Sequence, residues 1–184
     1  MKISLTLSLV ILSLNLVGCD DSNKTDLSEI RELDNQLFRE RMAQYNLCLE
    51  AATNMSSVTP DLAARGAAYY SIKVASLSMY RKCDLSEEIV MAGSCVIADN
   101  LRKEKGDLNA KEFNGVLKDL CFDDLKKAPE GFLSSDSFQK CLVSYAEYDK
   151  AFVSPIVKDR RALFLGDGDP ESARQFYVSN CGYE

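Results

Sequence analysis

Cysteine is the most chemically reactive type of side chain in this sequence. Beyond residue 40 there are six cysteines: Cys48, Cys83, Cys95, Cys121, Cys141 and Cys181. No two of them form a C-x-x-C motif, which argues against a redox-active pair and against a zinc ribbon. In an exported domain, an even number of cysteines predicts a framework of three disulfides. The alternative is that one or two pairs are free thiols, buried as small apolar groups.

Histidine and tryptophan are absent from the chain. Without imidazole there can be no Ser-His-Asp or Cys-His triad, no histidine-ligated zinc and no histidine pH switch. The sequence also lacks a glycine-rich phosphate loop and a nucleophile motif. We therefore expect no catalytic residue, no metal and no cofactor. A hydrolase that relies on carboxylates alone stays open as an alternative.

Two acidic groups resemble sites but are better explained otherwise. Asp167, Asp169 and Glu171 look like the start of a calcium loop, yet its sixth and twelfth positions would be Ser172 and Val178 instead of Gly and Glu. We predict instead that Asp169 caps a helix that begins at Pro170. The second group is Asp119, Asp123 and Asp124, which alternate with lysines and so predict a solvated helix face.

The N-terminus carries a short apolar leader that ends in Leu16-Val17-Gly18-Cys19. This tetrapeptide resembles the lipobox of bacterial lipoproteins. The resemblance implies cleavage after Gly18, so that residues 1–18 are a signal peptide, and lipid attachment at Cys19. The apolar stretch of residues 3–17 would span roughly 22 Å as a helix, which is short of the ~30 Å hydrocarbon core. An ordinary secretory leader with Cys19 incidental is the alternative.

Asp20 and Asp21 follow the proposed lipidation site and open a polar tether, residues 19–26. Asp20 would be the second residue of the mature protein, and aspartate there resembles the signal by which enteric lipoproteins avoid sorting to the outer membrane. By that resemblance the protein stays on the periplasmic face of the inner membrane, and the outer membrane is the alternative in hosts with other rules. A flexible tether of this length spans about 15 Å, so the domain would lie close to the lipid surface.

Composition favours one acidic domain over residues 27–184. Cleavage after Gly18 would leave 166 of the 184 residues with a side-chain charge of −7, because the leader takes Lys2 with it. A chain of this size buries enough surface to fold without a metal. The negative charge argues against nucleic acid as a partner.

Apolar spacings of three and four residues predict five to six helices in an antiparallel, all-α bundle joined by disulfides. The predicted helices cover about 27–52, 60–82, 84–105, 110–127, 135–155 and 170–181. Thr59, Asp84, Asn109, Ser134 or Ser135, and Asp169 are the expected caps. The second helix is rich in alanine, serine and glycine, so we place it at the centre. On the fourth helix, the predicted core face comprises Phe113, Val116, Leu117, Leu120, Cys121 and Leu125.

The spacing of the cysteines predicts one disulfide. Cys95 and Cys121 are equally far from residue 108, which falls in the connection between two predicted helices. In an antiparallel pair, residues equidistant from the turn lie side by side, so we predict Cys95–Cys121. Cys121 and Cys141 are also symmetric, about Gly131, but across a longer connection. The other four cysteines have three possible pairings.

The stretch around Pro155 is densely apolar, and we consider Phe152, Ile156 and Phe164 as a candidate partner surface. A core junction between helices explains the same residues.

Because no motif carries catalysis, we predict a membrane-tethered, non-catalytic protein that binds a periplasmic or incoming protein. It would act as an immunity or exclusion factor or as an accessory subunit. Immunity proteins against type VI secretion amidases resemble it in being small, helical and disulfide-bonded. The alternative is a carrier or hydrolase with a cavity between helices.

Overall fold

The computed structural model describes residues 27–106, 108–148, 150–151, 154–164 and 168–182. The leader, the tether and the candidate residues Cys19, Asp20, Asp21 and Phe152 lie outside the described residues. Side chains are described from Asn35 onward, except those of residues 148 and 162–164 within helices. The chain divides after Asn35 into two units, and all contacts reported below lie within the second, residues 36–184.

The all-α prediction is confirmed, because the described residues form helices and contain no strand. The helices are α1 (Leu27–Asn54), α2 (Pro60–Lys82), α3 (Glu87–Lys105), α4 (Ala110–Lys127), α5 (Asp136–Tyr148), α6 (Ser154–Phe164) and α7 (Pro170–Asn180), with a 3₁₀ turn at Phe132–Ser134. This is more than the predicted five to six. Pro155 lies in the first turn of α6, where proline is tolerated, rather than at the end of a longer fifth helix.

Helix α2 lies at the centre of the bundle, as its small side chains predict. Its alanines at positions 63, 64, 67, 68 and 75 are almost completely buried. The part of α1 from residue 36 onward runs antiparallel to it, because Met42 packs with Val74 and the short connection at residues 55–59 reverses the chain. Helix α3 is antiparallel on another side, where Met79 packs with Val90. Small residues permit this close approach from several directions.

Three of the predicted helix starts are confirmed by side-chain caps. The Asn109 side chain accepts hydrogen bonds from the backbone N–H groups of Lys111 and Glu112. The Asp169 carboxylate accepts one from Ser172 at 2.8 Å, so the helix-cap interpretation holds there. The Ser135 hydroxyl accepts one from Phe138. Such caps satisfy backbone donors that have no partner within the helix.

The other two predicted caps have different outcomes. Thr59 occupies the N-cap position of α2 as predicted, but its side chain makes no capping hydrogen bond. The prediction that Asp84 caps α3 is wrong. Helix α3 begins at Glu87, so Asp84 lies outside it. Leu85 packs into the cluster around Phe138, and Cys83 is bonded to Cys141, which together hold this segment out of the helix.

All six cysteines are in disulfides, and the predicted Cys95–Cys121 bond is confirmed. The pairs are Cys48–Cys181, Cys83–Cys141 and Cys95–Cys121, with Cα–Cα distances of 5.6, 5.2 and 5.9 Å. They join α1 to the end of α7, the end of α2 to α5, and α3 to α4. The loops are nested, because residues 95–121 lie within 83–141, which lie within 48–181.

Candidate functional site

Helix α4 exposes residues that the sequence predicts to be in the core. Phe113 and Cys121 are buried as expected, but Leu120 and Leu125 are 41% and 46% exposed. Phe122 is 58% exposed. Helix α4 packs on α2 and α3, and Leu120 and Leu125 lie partly outside these contacts and face solvent. The predicted core face was therefore too wide.

An open groove lies between α3 and α4, with a volume of about 370 Å³. The Cys95–Cys121 disulfide lines it together with four apolar side chains, Val96, Leu117, Phe122 and Leu125. The disulfide fixes the spacing of the two helices at this point, since it joins them directly. We call this the α3–α4 groove.

A second, smaller depression continues from the groove at the end of α4. It has a volume of about 240 Å³ and shares Leu125 with the groove. Its other lining residues include Pro129, Phe132 and Leu133 together with Glu130, and Leu133 is 40% exposed. Phe132 is held against the core by an edge-to-face contact with Phe138, at 5.4 Å between ring centroids. The two hollows thus form one apolar surface, which we define by Leu117, Phe122, Leu125 and Leu133 and call the apolar α4 surface.

The rim of the α3–α4 groove carries more positive than negative charge. Asp99 pairs with Lys103 at 2.6 Å and with Arg102 at 3.5 Å. The hydrogen bond from Lys103, with the charges of both cations, holds the pKa of the Asp99 carboxyl below its usual value. Lys118 adds a second lining cation from the opposite wall. The charged residues that line the groove are therefore Lys103 and Lys118 against Asp99.

The partner surface predicted around Pro155 is described only in part. The Ile156 side chain is half-buried, and the side chain of Phe164 lies outside the described ones. Val157 packs against the core between α1 and α2. Arg160 pairs with Glu40, and Arg161 pairs with Glu50 at 2.8 Å, so these residues fasten α6 to α1.

The acidic residues of α4 lie largely in solvent. Asp119 and Asp123 are exposed, as the prediction of a solvated face requires, and Asp124 is half-buried. No group of three or more potential metal ligands occurs among the described residues. What the sequence reasoning missed is the pair Phe122 and Leu133. Phe122 directly follows the buried Cys121, and successive residues of an α-helix lie about 100° apart around its axis. Phe122 therefore lies to one side of the buried line, which is the signal that could have identified it as exposed.

No protein-family model, curated protein or solved structure matches the chain. Within the described part of the chain, every helix is too short or too polar to span a membrane. The inference of function therefore depends on the chain's own residues.

Proposed function

We propose that this protein is a membrane-tethered, non-catalytic module that binds another protein through the apolar α4 surface. The observation that carries the proposal is the exposure of Phe122, Leu125 and Leu133 around two adjoining hollows. Large apolar side chains that cluster on a surface are typical of protein contacts, whereas single exposed ones are ordinary. Aromatic and leucine anchors surrounded by charge match the anatomy of such contacts.

The tether is the second part of the proposal. Lipid on Cys19 would hold the domain about 15 Å from the membrane, and Asp20 with Asp21 would keep it on the inner membrane. The partner would then be a protein of the envelope or one that enters it. An immunity or exclusion factor should be dispensable until the cell is challenged. Deletion of an accessory subunit should instead weaken the cell even when it is not challenged.

A small-ligand carrier is the alternative, and the size of the α3–α4 groove favours it. Its volume of about 370 Å³ falls within the usual range for small-molecule sites. A ligand confined to the groove would not use Leu133, which lies in the second hollow. Sensitivity to Leu133 therefore separates the two functions.

The test is site-specific photo-cross-linking in cells of the source organism. A photo-reactive phenylalanine analogue at position 122 should yield one dominant cross-linked protein, and Leu125→Asp should remove that product. Leu37→Asp is the matched control, because Leu37 is 62% exposed on α1 and lines neither hollow. Equal cross-linking in the Leu125 and Leu37 variants would refute the proposed surface. A co-purifying small molecule lost in Leu125→Asp but kept in Leu133→Asp would establish the carrier function.

A further inference from the structure

We propose that the Cys83–Cys141 disulfide is a redox switch, and that its reduction by a dithiol loosens α5 together with the part of the apolar α4 surface that Leu133 forms. This inference rests on the proposed function, because it specifies how binding at that surface is regulated. Three features of the molecule support it. They are the exposure of Cys83, the small number of buried side chains on α5, and the contacts by which α5 holds the 3₁₀ turn.

Cys83 is the most accessible of the six cysteines. It is half-buried, whereas the other five are between 1% and 7% exposed. Its backbone is extended, in the segment between α2 and α3, and its neighbours Lys82 and Asp84 are exposed. The rate of thiol–disulfide exchange depends on the access of the attacking thiolate to a sulfur of the bond. We therefore expect Cys83–Cys141 to be reduced before the two disulfides whose cysteines are both buried.

Reduction of this bond takes two electrons, which a dithiol supplies. A thiolate of the dithiol attacks Sγ of Cys83, the Sγ–Sγ bond breaks, and Cys141 leaves as a thiolate that takes a proton from water. The second thiol of the reductant loses its proton and attacks the mixed disulfide, so that Cys83 leaves and is protonated in turn. The products are two thiols in the protein and one disulfide in the reductant.

Helix α5 has few buried side chains besides Cys141. Among its described side chains only those of Phe138 and Cys141 are buried, and they lie one turn apart on the same face. Both belong to the cluster that contains Met79 and Val90, and the half-buried Leu142 packs beside them. Opening the disulfide removes the covalent link to α2 and leaves Phe138 as the main buried contact. A segment with so few buried contacts opens locally at a small free-energy cost.

The first turn of α5 holds the 3₁₀ turn in place. Nε2 of Gln139 donates a hydrogen bond to the backbone carbonyl oxygen of Leu133, at 2.6 Å. The ring of Phe138 contacts that of Phe132 edge to face, at 5.4 Å between centroids. Phe132 and Leu133 line the second hollow. This hollow should therefore lose its shape when α5 loosens, whereas the α3–α4 groove keeps its own buried disulfide.

The experiment is partial reduction of the purified protein with dithiothreitol, followed by alkylation and peptide mapping. Cys83 and Cys141 should be alkylated roughly tenfold faster than the other four cysteines. Amide hydrogen exchange of the partly reduced protein should rise in the 3₁₀ turn and in α5 and stay unchanged in α4. The double alanine variant of Cys95 and Cys121 is the matched control and should keep this response. The wild-type measurement uses no variant, so it decides the question even where a variant fails to fold.

Earlier reduction of either other disulfide, simultaneous reduction of all three, or unchanged exchange in α5 would each overturn the inference. Photo-cross-linking in cells tests the effect on binding. In the double alanine variant of Cys83 and Cys141, the product from position 133 should fall severalfold while that from position 122 persists and shows that the variant is folded. An undiminished product from position 133 would refute the switch and leave the protein-binding function standing. Absence of any Leu125-dependent cross-link in the otherwise unaltered protein would refute the function itself.

Discussion

The hydroxyl of Tyr70 in α2 donates a hydrogen bond to the backbone carbonyl oxygen of Cys181, at the end of α7. Cys181 is also bonded to Cys48, so a disulfide and a buried hydrogen bond hold the same point. Tyr70 is 4% exposed, and the rings of Tyr45, Tyr69 and Tyr177 lie 5.1–6.1 Å from its own. The end of α7 is thereby fixed to both α1 and α2.

This arrangement predicts a loss of stability at alkaline pH. Burial, with smaller contributions from Tyr69 and Tyr45, raises the pKa of Tyr70 to about 12 from the ordinary 10.0. A raised pKa in the folded state means that the stabilisation is complete below pH 10 and is lost as pH rises toward 12. By linkage, the loss is roughly 2 to 3 kcal/mol.

Urea unfolding between pH 8 and 12 measures the effect. Tyr70→Phe should cost about 1 kcal/mol at pH 8, for the lost hydrogen bond, and should flatten the dependence between pH 10 and 12. Tyr45→Phe removes only a smaller contribution to the raised pKa of Tyr70 and should keep most of that dependence. Parallel curves for wild type and Tyr70→Phe across this window would contradict the prediction.

Two helical glycines should respond oppositely to alanine. A Cβ on Gly66 would lie 2.7 Å from Cζ of the buried Tyr177 ring, so Gly66→Ala should destabilise by about 1 to 3 kcal/mol. Nothing lies within 4 Å of a Cβ on Gly115, in the interior of α4. Gly115→Ala should therefore stabilise by about 0.5 to 1 kcal/mol through helix propensity. Thermal unfolding of both variants is the measurement. A stabilised Gly66→Ala would show that the close contact is not limiting, and a destabilised Gly115→Ala would contradict the open space around that position.

The three disulfides should differ in their contribution to stability. The separations between bonded cysteines are 133, 58 and 26 residues. In the chain-entropy model a longer closed loop stabilises more, so the double alanine variant of Cys48 and Cys181 should lose about 1.4 kcal/mol more than that of Cys95 and Cys121. Guanidinium unfolding of the double variants tests the order. A larger loss at Cys95 and Cys121 would indicate that packing in the groove dominates.

Lipid attachment is tested at Cys19. Cys19→Ala should abolish labelling by radioactive palmitate and leave an uncleaved precursor, because the peptidase acts on the lipidated residue. Asp20→Ser should shift the protein toward the outer membrane in an enteric host. Unchanged labelling of Cys19→Ala would refute the lipoprotein proposal, and an unchanged location of Asp20→Ser would refute the sorting proposal alone.

Helix periodicity and turn residues predict most of the fold because they report local preferences. Asn109 and Asp169 cap helices as expected, and the symmetry of Cys95 and Cys121 about their turn predicts a bond between adjacent helices. Cys48–Cys181 could not be predicted in this way. It depends on where α7 docks, and no local spacing encodes that position.

The candidate site was harder to predict than the fold. The apolar stripe on α4 shows which side of the helix is hydrophobic. It does not show how much of that side is covered by other helices. Leu125 belongs to the stripe and is nearly half exposed. Leu133 lies outside α4 and joins the surface only because the 3₁₀ turn brings it beside Leu125. The exposure of Leu125 and the position of Leu133 both depend on tertiary packing, which the pattern of a single sequence does not reveal.

The outermost disulfide has a topological consequence. Cys48–Cys181 closes residues 48–181 into a covalent ring that contains α2 through α7. A protease that cuts one peptide bond within that ring opens it but separates no fragment from α1. The apolar α4 surface therefore survives a single nick without being shed, and losing it requires a second cut or a reductant.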